Sequence, residues 1–252
     1  GDTVSFLKLR AGYSQVAGGA DSPYALSLSY GIYGQGHLGA SLGNISGGTI
    51  PNSEITPFEK NETEFGVDLR MFDNKLSIDA TYYDNETLGD IVGVSASPTS
   101  GFGSALANLG NISNSGIELL VKGEIMRTDD FAWEASVNYT NNTSKVVATN
   151  DTSGNISMDE PRSRNLRVTH IVGEKYGALY GSSYVRDADN NIVHEMVNGI
   201  PIPKQGARKI LGFGVAPTSI GFGSSFRYKD FNANFLIEGK SGGQIYSGTN
   251  AF

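Results

Sequence analysis

Hydrophobic and polar residues alternate along several segments of the chain, which is typical of β-strands with one apolar face. The clearest example is a pair of segments, residues 64–71 and 76–83, separated by Asp73-Asn74. Its apolar positions are Phe65, Val67, Leu69 and Met71, followed by Leu76, Ile78, Ala80 and Tyr82. Asp and Asn tolerate the positive φ that a two-residue hairpin turn requires. The pattern therefore predicts an antiparallel hairpin with strands of about nine residues.

Two further hairpins and one earlier strand repeat this pattern. The second hairpin turns at residues 127–129 and the third at Lys229-Asp230. The apolar positions of the second are Ile117, Leu119, Val121 and Ile125, then Phe131, Trp133, Ala135, Val137 and Tyr139. Those of the third are Ile220, Phe222, Phe226 and Tyr228, then Phe231, Ala233, Phe235 and Ile237; the earlier strand has Leu7, Leu9, Ala11 and Tyr13. A slip of one residue would turn each apolar set over, so the pattern predicts the register of about seven strands.

The connections between these strands are unequal in length. One end of the strands carries turns of two or three residues, whereas the other carries long segments rich in Gly, Ser and Asn, at Ser14–Asn61, Asp84–Ser113 and Asn141–Ala216. Transmembrane β-barrels of the bacterial outer membrane have short periplasmic turns and longer extracellular loops. The asymmetry therefore predicts that the tight turns are periplasmic and the long segments extracellular.

Aromatic residues occupy both ends of the predicted apolar face. Those beside the tight turns are Phe131, Tyr228 and Phe231, and those at the far ends are Tyr13, Tyr82 and Tyr139. Two aromatic girdles that flank an apolar band are typical of a barrel with two membrane interfaces. The fold class predicted is thus an all-β, antiparallel transmembrane β-barrel portion. The alternative is a soluble β-sandwich or solenoid whose aromatic residues fill a core.

Composition excludes several classes of function. The 252 residues carry a net charge of −7, three histidines and no cysteine. The acidic balance argues against nucleic-acid binding, and the lack of cysteine excludes disulfides and thiolate metal sites. His37, His170 and His194 form no metal-ligand pair, and neither a nucleophile elbow nor a phosphate loop occurs. We therefore expect no enzyme activity, no cofactor and no metal site.

Residues 187–191 (Asp-Ala-Asp-Asn-Asn) are similar to the start of a calcium-binding loop. Ile192 stands where such a loop requires Gly, and Asn198 replaces its bidentate Glu. A surface β-turn is therefore the preferred interpretation of this segment.

Charged residues lie on the polar face of the predicted strands. With the turn at Asp73-Asn74, Asp68 lies opposite Asp79, and like charges so placed repel each other. Arg70 is predicted to bridge both carboxylates. The charged residues predicted to face the barrel lumen or a plug are Arg70, Asp68, Asp79, Glu118, Lys122 and Glu134. A network that only holds the wall together is the alternative.

Five motifs, in order along nearly the whole chain, resemble those of one transporter family. They are Leu7-Lys8-Leu9-Arg10-Ala11-Gly12-Tyr13, Thr56-Pro57-Phe58-Glu59 with Glu64-Phe65-Gly66-Val67-Asp68-Leu69, residues 108–118 (NLGNISNSGIE), Phe131-Ala132-Trp133 with Asn138, Asn142 and Lys145-Val146, and Tyr228-Lys229-Asp230-Phe231 with Gly242-Gly243-Gln244-Ile245-Tyr246. The chain is identified by this resemblance as a member of the SusC-like/RagA-like TonB-dependent transporters.

The resemblance implies a place in the bacterial outer membrane and a family barrel of about 22 strands around a plug. Residues 1–252 would form a partial barrel without the plug domain, and we expect them to belong to a longer polypeptide. Implied partners are the TonB complex, acting through the plug region, a SusD-like surface lipoprotein and membrane lipid, including lipopolysaccharide. The implied activity is active import of an oligosaccharide or a peptide. The alternative from another class is a soluble secreted β-rich adhesin or carbohydrate-binding module.

The segment 141–216 is predicted to form a small extracellular subdomain. Residues 171–173, 176–181 and 183–185 have the pattern of short strands, and the prolines of Ile200-Pro201-Ile202-Pro203 are expected to end strand pairing. Tyr176, Tyr180 and Tyr184 are candidate contacts for a sugar or for the surface lipoprotein. The alternative is that these tyrosines only pack the subdomain against the barrel rim.

Overall fold

A computed structural model describes residues 3–19, 27–32, 36–45, 48–108, 110–149, 154–159 and 166–247. The strands are β1 (Val4–Gly18), β2 (Tyr30–Ile32), β3 (Gly43–Ile45), β4 (Thr49–Ile50), β5 (Phe58–Met71), β6 (Leu76–Leu88), β7 (Ile91–Ser95), β8 (Ser104–Asn108), β9 (Gly110–Arg127), β10 (Phe131–Thr149), β11 (Asn155–Asp159), β12 (Leu166–Ile171), β13 (Ala178–Tyr184), β14 (His194–Val197), β15 (Ile200–Pro203), β16 (Gln205–Phe213), β17 (Thr218–Tyr228) and β18 (Phe231–Ser241). The described residues contain no α-helix, and a single turn of 3₁₀-helix spans Pro98–Ser100. In the part of the chain that the structure describes, no helix has the length and apolarity needed to cross a membrane.

The main element is a seven-stranded antiparallel sheet in the order β1-β5-β6-β9-β10-β17-β18. One row of directly opposed residues crosses all seven strands and is apolar throughout: Leu7, Leu69, Ile78, Val121, Val137, Phe222 and Ile237. None of these side chains is buried, and Ile237 is 64% exposed. Among the described residues no second sheet covers this face, so it lacks the packing of a sandwich core. The predicted all-β fold with about seven antiparallel strands is confirmed.

The strands are longer than the alternation predicts. The strand β10 has 19 residues and β9 has 18, so residues 141–149, predicted as the start of a loop, continue β10. At about 3.3 Å per residue and a tilt near 40°, such a strand rises roughly 45 Å, whereas a bilayer core is about 30 Å thick. A predicted apolar band of bilayer thickness therefore covers only part of such a strand, and the mostly polar residues 141–149 lie in the remaining part, where a hydrophobicity pattern does not reveal the strand.

Two details of the predicted hairpins are wrong. The turn between β5 and β6 comprises residues 72–75, and three of its residues, Phe72, Asp73 and Asn74, have positive φ. A bulge in β9 places Met126 opposite Trp133, because the register shifts by one residue between Trp133 and Glu134, so the alternation that includes Ile125 does not continue to the end of the strand. The two-residue turn at Lys229-Asp230 forms as predicted, between the paired Tyr228 and Phe231.

Beyond the far end of this wall lies a four-stranded sheet in the order β11-β12-β13-β16. Most buried apolar side chains of the described residues lie in this sheet or in the adjoining ends of β9 and β10: Ile112, Val146, Ile156, Leu166 and Ala178. Smaller sheets are formed by β4-β8-β7, by β2-β3 and by β14-β15. The hydrophobic core of this chain therefore lies among the long connections and not under the main sheet.

The strands of the segment 141–216 differ from those predicted. The two predicted strands 176–181 and 183–185 are largely one strand, β13, and residues 172–177 turn between β12 and β13. Pro201 and Pro203 do not end pairing, because they lie in β15 opposite Met196 and His194 of β14. Proline is compatible with a two-stranded hairpin, since the missing N–H can be one that faces away from the partner strand.

Candidate functional site on the polar face of the sheet

The polar face of the main sheet contains an opposed pair of carboxylates. Asp68 of β5 pairs directly with Asp79 of β6, as predicted. Arg70 binds Asp68, with 3.5 Å between Nη2 and Oδ2, and its guanidinium lies 5.1 Å from the centre of the Phe6 ring. The prediction that Arg70 also bridges Asp79 is wrong. Asp79 is instead held by Arg10 of β1, whose Nη1 and Nη2 donate to its two carboxylate oxygens at 3.0 and 2.7 Å.

Arg10 reaches Asp79 by crossing the strand between them. Arg10 lies opposite Gly66 of β5, and Gly66 lies opposite Thr81 of β6, to whose Oγ1 the guanidinium also donates at 3.0 Å. A Cβ on Gly66 would lie 2.7 Å from Nη2 of Arg10. Any side chain at Gly66 would therefore displace the guanidinium, which explains why a glycine occupies the middle of a long strand here.

The same arrangement recurs two strands further along. Tyr83 of β6 lies opposite Gly116 of β9, and its hydroxyl donates to Oδ1 of Asn142 on β10 at 3.1 Å. A Cβ on Gly116 would lie 2.5 Å from that hydroxyl. Both glycines thus let a polar side chain connect two strands that are not neighbours.

A second opposed carboxylate pair lies near the tight turns. Glu124 of β9 pairs with Glu134 of β10. Arg127 binds both carboxylates, donating from Nη2 to Glu134 at 3.1 Å and from Nε to Glu124. Each opposed pair is therefore compensated by arginine, which reduces the repulsion that two facing carboxylates would otherwise impose.

The remaining predicted residues lie on the same face. Glu118 of β9 stands between Thr81 of β6 and Thr140 of β10 and is exposed. Lys122 lies opposite Ser77 and Ser136 and lines a shallow depression together with Arg127, Glu124 and Glu134. The structure thus gathers Asp68, Arg70 and Asp79 into one cluster and Lys122 and Glu134 into another. Whether any of them faces a plug stays a prediction.

The residues that sequence reasoning missed are those that cross strands. Arg10, Gly66, Tyr83, Gly116, Asn142, Glu124 and Arg127 all belong to the networks described above. A signal was available, since Gly66 and Gly116 interrupt strands at polar-face positions where turns are excluded. With the register known, each of these two glycines indicates a long side chain on the strand beside it.

The three candidate tyrosines lie in different surroundings. Tyr176 precedes β13, and its ring contacts that of His170, with 4.3 Å between centroids. Tyr180 lies within β13 opposite Ile210 of β16, whereas Tyr184 ends β13 and is 51% exposed. Burial lowers the pKa of His170 below its usual value, against a smaller opposing influence of Asp90. Among the described residues the three tyrosine rings make no ring contact with one another.

No group of residues suited to a metal ion occurs in the described parts of the chain. The segment that is similar to a calcium loop forms a turn, as preferred above, in which Asp187 accepts hydrogen bonds from the backbone N–H groups of Asn191 and Asp189 at 2.8 and 3.0 Å. The bond from Asn191 is the main reason why the pKa of Asp187 lies below its usual value. The carboxylate thus stabilises the turn.

Comparison with known families gives a match over most of the chain. Residues 3–237 match the family model described as TonB dependent receptor-like, beta-barrel. The TonB-dependent receptor P3 of Formosa agariphila is 25% identical over 272 residues, covering 98% of this chain and 27% of that receptor. The TonB-dependent receptor SusC of Bacteroides thetaiotaomicron is 25% identical over 148 residues, covering 55% of this chain and 15% of SusC.

Solved structures with the same arrangement of strands include the RagAB peptide importer in its closed-closed state. It matches with a TM-score of 0.73 at 18% identity and covers 96% of this chain and 27% of that chain. A second structure of the RagAB peptide transporter matches with a TM-score of 0.71 at 19% identity, over 94% of this chain. The chain thus spans about a quarter of the length of these relatives.

Proposed function

Because this chain belongs to the TonB-dependent receptor-like β-barrel family, we propose that it forms part of the wall of an active importer in the bacterial outer membrane. Members of this family are transporters and receptors of the outer membrane. In this proposal the apolar face of the seven-stranded sheet contacts lipid, including lipopolysaccharide, and the polar face lines the lumen.

The observation that supports this orientation most strongly is the contrast between the two faces of one sheet. The row from Leu7 to Ile237 is apolar in all seven strands and uncovered. The adjacent row contains Arg70, Ser77 and Lys122 on three neighbouring strands. A soluble adhesin would leave the first row in water over the whole width of the sheet, which monomeric soluble proteins avoid.

The clusters on the polar face are proposed to contact a plug domain supplied by the rest of a longer polypeptide. Arg127 and Lys122 present cations beside Glu124 and Glu134 close to the periplasmic turns. Charged groups of both signs in a confined lumen can pair with a plug and exchange those partners for water when the plug moves. Energy coupling through the TonB complex would act on that plug.

The substrate class and the outer partner are also proposals. The RagAB structures are those of a peptide importer, and SusC is a TonB-dependent receptor, so we propose import of a peptide or an oligosaccharide together with a SusD-like lipoprotein. Segment 141–216 and the other long connections would be extracellular and contact both. Tyr184 is the strongest candidate of the three tyrosines, because its ring is half exposed whereas that of Tyr176 packs on His170.

Cysteine labelling tests the orientation of the wall. The 252 residues contain no cysteine, so Val137→Cys and its neighbour Asn138→Cys, introduced singly into the full-length receptor, form a matched pair on opposite faces. We expect a lipid-dissolved maleimide to label only the first and a small water-soluble maleimide to label only the second. Equal labelling of both residues by the water-soluble reagent would overturn the membrane orientation.

An uptake assay tests the activity. A strain that lacks the gene for this receptor should lose growth on, and uptake of, at least one member of a panel of oligosaccharides and peptides, and the intact gene should restore both. Tyr184→Ala should reduce this uptake while barrel assembly stays normal; Lys229→Ala, at a periplasmic turn, serves as control. Unchanged uptake of every panel member in the deletion strain contradicts the proposal.

A further inference from the structure

Two segments hold the four-stranded sheet to the wall, and the first is the turn between β12 and β13. The strand β17 pairs with β10 as far as Asn141. Beyond that point the turn takes the place of β17 beside β10. The N–H of Val146 donates to the carbonyl of Glu174 at 2.9 Å, and the N–H of Gly173 donates to the carbonyl of Val146 at 2.9 Å. The turn is therefore fixed to β10.

The second attachment is made by Gln244, three residues after the end of β18 at Ser241. Its N–H donates to the carbonyl of Phe213 at 2.9 Å, and its side-chain Oε1 accepts from the N–H of Phe213 at 2.9 Å. Phe213 is the last residue of β16. One glutamine thus supplies both the donor and the acceptor that a residue of a paired strand would offer. The segment that follows the last strand of the wall is thereby bonded to the end of β16.

Glycines make room for this contact. A Cβ on Gly212 would overlap the side-chain amide of Gln244. Gly242 has a φ of +87°, which favours glycine, and a Cβ there would lie 2.8 Å from the ring of Pro217. The motif Gly242-Gly243-Gln244 is explained by these contacts, because its glycines bring the chain against the linker between β16 and β17 and its glutamine binds the end of β16.

The two attachments lie on opposite sides of that linker. The N–H of Gly214 in the linker donates to the carbonyl of Gly177 at 3.2 Å, and Nζ of Lys175 lies 5.8 Å from the centre of the Phe213 ring. Backbone contacts thus continue from β10 through the turn and the linker to Gln244. A sheet fixed only to β10 could pivot about that strand, whereas a sheet bonded on both sides keeps one orientation on the wall.

We propose that Gln244 is a positioning residue of the importer, which fixes the orientation of the four-stranded sheet and of the surface that this sheet presents to the imported substrate. The inference rests on the proposed function, because it assigns this sheet to the extracellular entrance. Tyr184 ends β13 opposite Gln205 of β16, so the place of its ring depends on the orientation of β16. Gln244 is exposed, so its replacement buries no unpaired group and should not unfold the barrel.

Distance measurements between spin labels test this orientation without any ligand. Cysteines replace Lys209 of the sheet and Asn232 of the wall in a cysteine-free, full-length receptor, and electron–electron double resonance gives the distribution of distances between the two labels. Gln244→Met should make this distribution about twofold wider, because a sheet held only through β10 adopts several orientations. Gln205→Met is the matched control, since it removes a glutamine that donates to Ser182 within the sheet at 2.7 Å, and it should leave the distribution narrow.

Two further variants separate the hydrogen bond from other effects of the substitution. Gln244→Glu keeps an oxygen acceptor at the same position and should restore the narrow distribution. Gly212→Ala displaces the Gln244 side chain without changing it and should reproduce the wide distribution. Heat-modifiable migration in SDS gels verifies that each variant barrel is folded. A narrow distribution in both Gln244→Met and Gly212→Ala overturns the inference, because the sheet then keeps its orientation without this contact.

Uptake kinetics test whether the orientation matters for import. The probe is the radiolabelled member of the peptide and oligosaccharide panel whose uptake the deletion strain loses. A sheet that is correctly oriented for only part of the time binds correspondingly more weakly. We therefore expect Gln244→Met to raise the half-saturating concentration ~3-fold or more at an unchanged maximal rate, and Gln244→Glu to restore it.

The two experiments separate failure of this inference from failure of the importer function. An unchanged half-saturating concentration beside a widened distance distribution overturns the positioning role of Gln244. Absence of any gene-dependent uptake refutes the importer function instead, and the distance distributions then decide by themselves whether Gln244 orients the sheet.

Discussion

The seven-stranded sheet and the four-stranded sheet are both antiparallel, yet they are stabilised in different ways. The larger sheet has strands of 11 to 19 residues and keeps regular pairing over most of its length. Of the buried apolar residues in the described ranges, the larger sheet contributes only Ala132 away from its far end. The smaller sheet has strands of 5 to 9 residues and register shifts in two of its three strand pairs, yet contains Leu166 and Ala178, both fully buried or nearly so.

The difference fits the proposal that one face of the larger sheet borders lipid. A sheet that borders lipid needs no core behind its apolar face, because the lipid itself replaces water there. Its specific interactions lie on the other face, in charged networks that span several strands. A sheet that borders water has to bury apolar side chains of its own, and irregular strands are acceptable where packing fixes them.

The largest expected effect comes from the core of the smaller sheet. Leu166→Ala removes a nearly fully buried side chain, which should cost about 2–5 kcal/mol. Because the main sheet has no such core, we expect local unfolding that hydrogen exchange detects in β11 to β13, while heat-modifiable migration of the barrel stays normal. Loss of the folded barrel would show that the two sheets are one cooperative unit.

Two adjacent leucines of β9 provide a matched test of the larger sheet. Leu119 lies on the apolar face opposite Ala80 and Tyr139, whereas Leu120 lies on the polar face opposite Asp79 and Asn138. Leu119→Arg should destabilise the barrel by roughly 2–4 kcal/mol, and Leu120→Arg by about 1 kcal/mol or less. Denaturant titration of the full-length receptor in lipid vesicles measures both. The reverse order would mean that the faces are assigned wrongly.

Loss of the bond that Arg10 makes to Asp79 across Gly66 should have an intermediate effect on stability. Gly66→Ala places a methyl group against the guanidinium of Arg10 and breaks its bonds to Asp79. We expect a smaller loss of stability than for Leu119→Arg, because a carboxylate opposite Asp68 loses its cation while both groups are partly exposed to solvent. In an Arg10→Met background the same substitution should cost much less, and a double-mutant cycle measures the difference. Equal costs in both backgrounds would exclude the crossing as the cause.

The smallest effect concerns pH and is confined to the smaller sheet. Burial holds the pKa of His170 below its usual value, so the folded sheet binds a proton less readily than the unfolded one. The stability of the smaller sheet should therefore not depend on pH above the usual histidine pKa, and it should fall as the pH drops below that value. The protection factors of the β12 amides, which are exchange rates corrected for the intrinsic effect of pH, should fall between about pH 7 and pH 5, and His170→Phe should abolish this dependence. A fall that persists in the variant assigns the effect to another group.

The same contrast explains what the sequence predicts and what it does not. In the larger sheet, period-two alternation and tight turns predict the order of hairpins, the Asp68–Asp79 pairing and the apolar row, because one face is uniform. Residues 141–149 are mostly polar and do not alternate, so they are not recognisable as strand. The partner of Asp79 is also not predictable from its own hairpin, since Arg10 lies 69 positions earlier and crosses Gly66.

In the segment 141–216 the prediction is weaker because packing overrides local signals. Pro201 and Pro203 predict an interruption, yet they pair within a hairpin whose free edge tolerates them. Tyr176, Tyr180 and Tyr184 look alike as candidate contacts in the sequence, yet among these three only the ring of Tyr176 contacts the ring of His170. Both outcomes depend on contacts between residues of different strands, which no short pattern contains.

The side chains that cross glycines have a consequence for assembly of the wall. The bonds of Arg10 to Asp79 and of Tyr83 to Asn142 form only when two successive strand pairings are both correct. If β5 and β6 were displaced by one residue, Asp79 would point to the opposite face and Arg10 would find no carboxylate there. Each bond across a glycine therefore makes the registers of three strands depend on one another, because a hairpin that is displaced by one residue loses that bond.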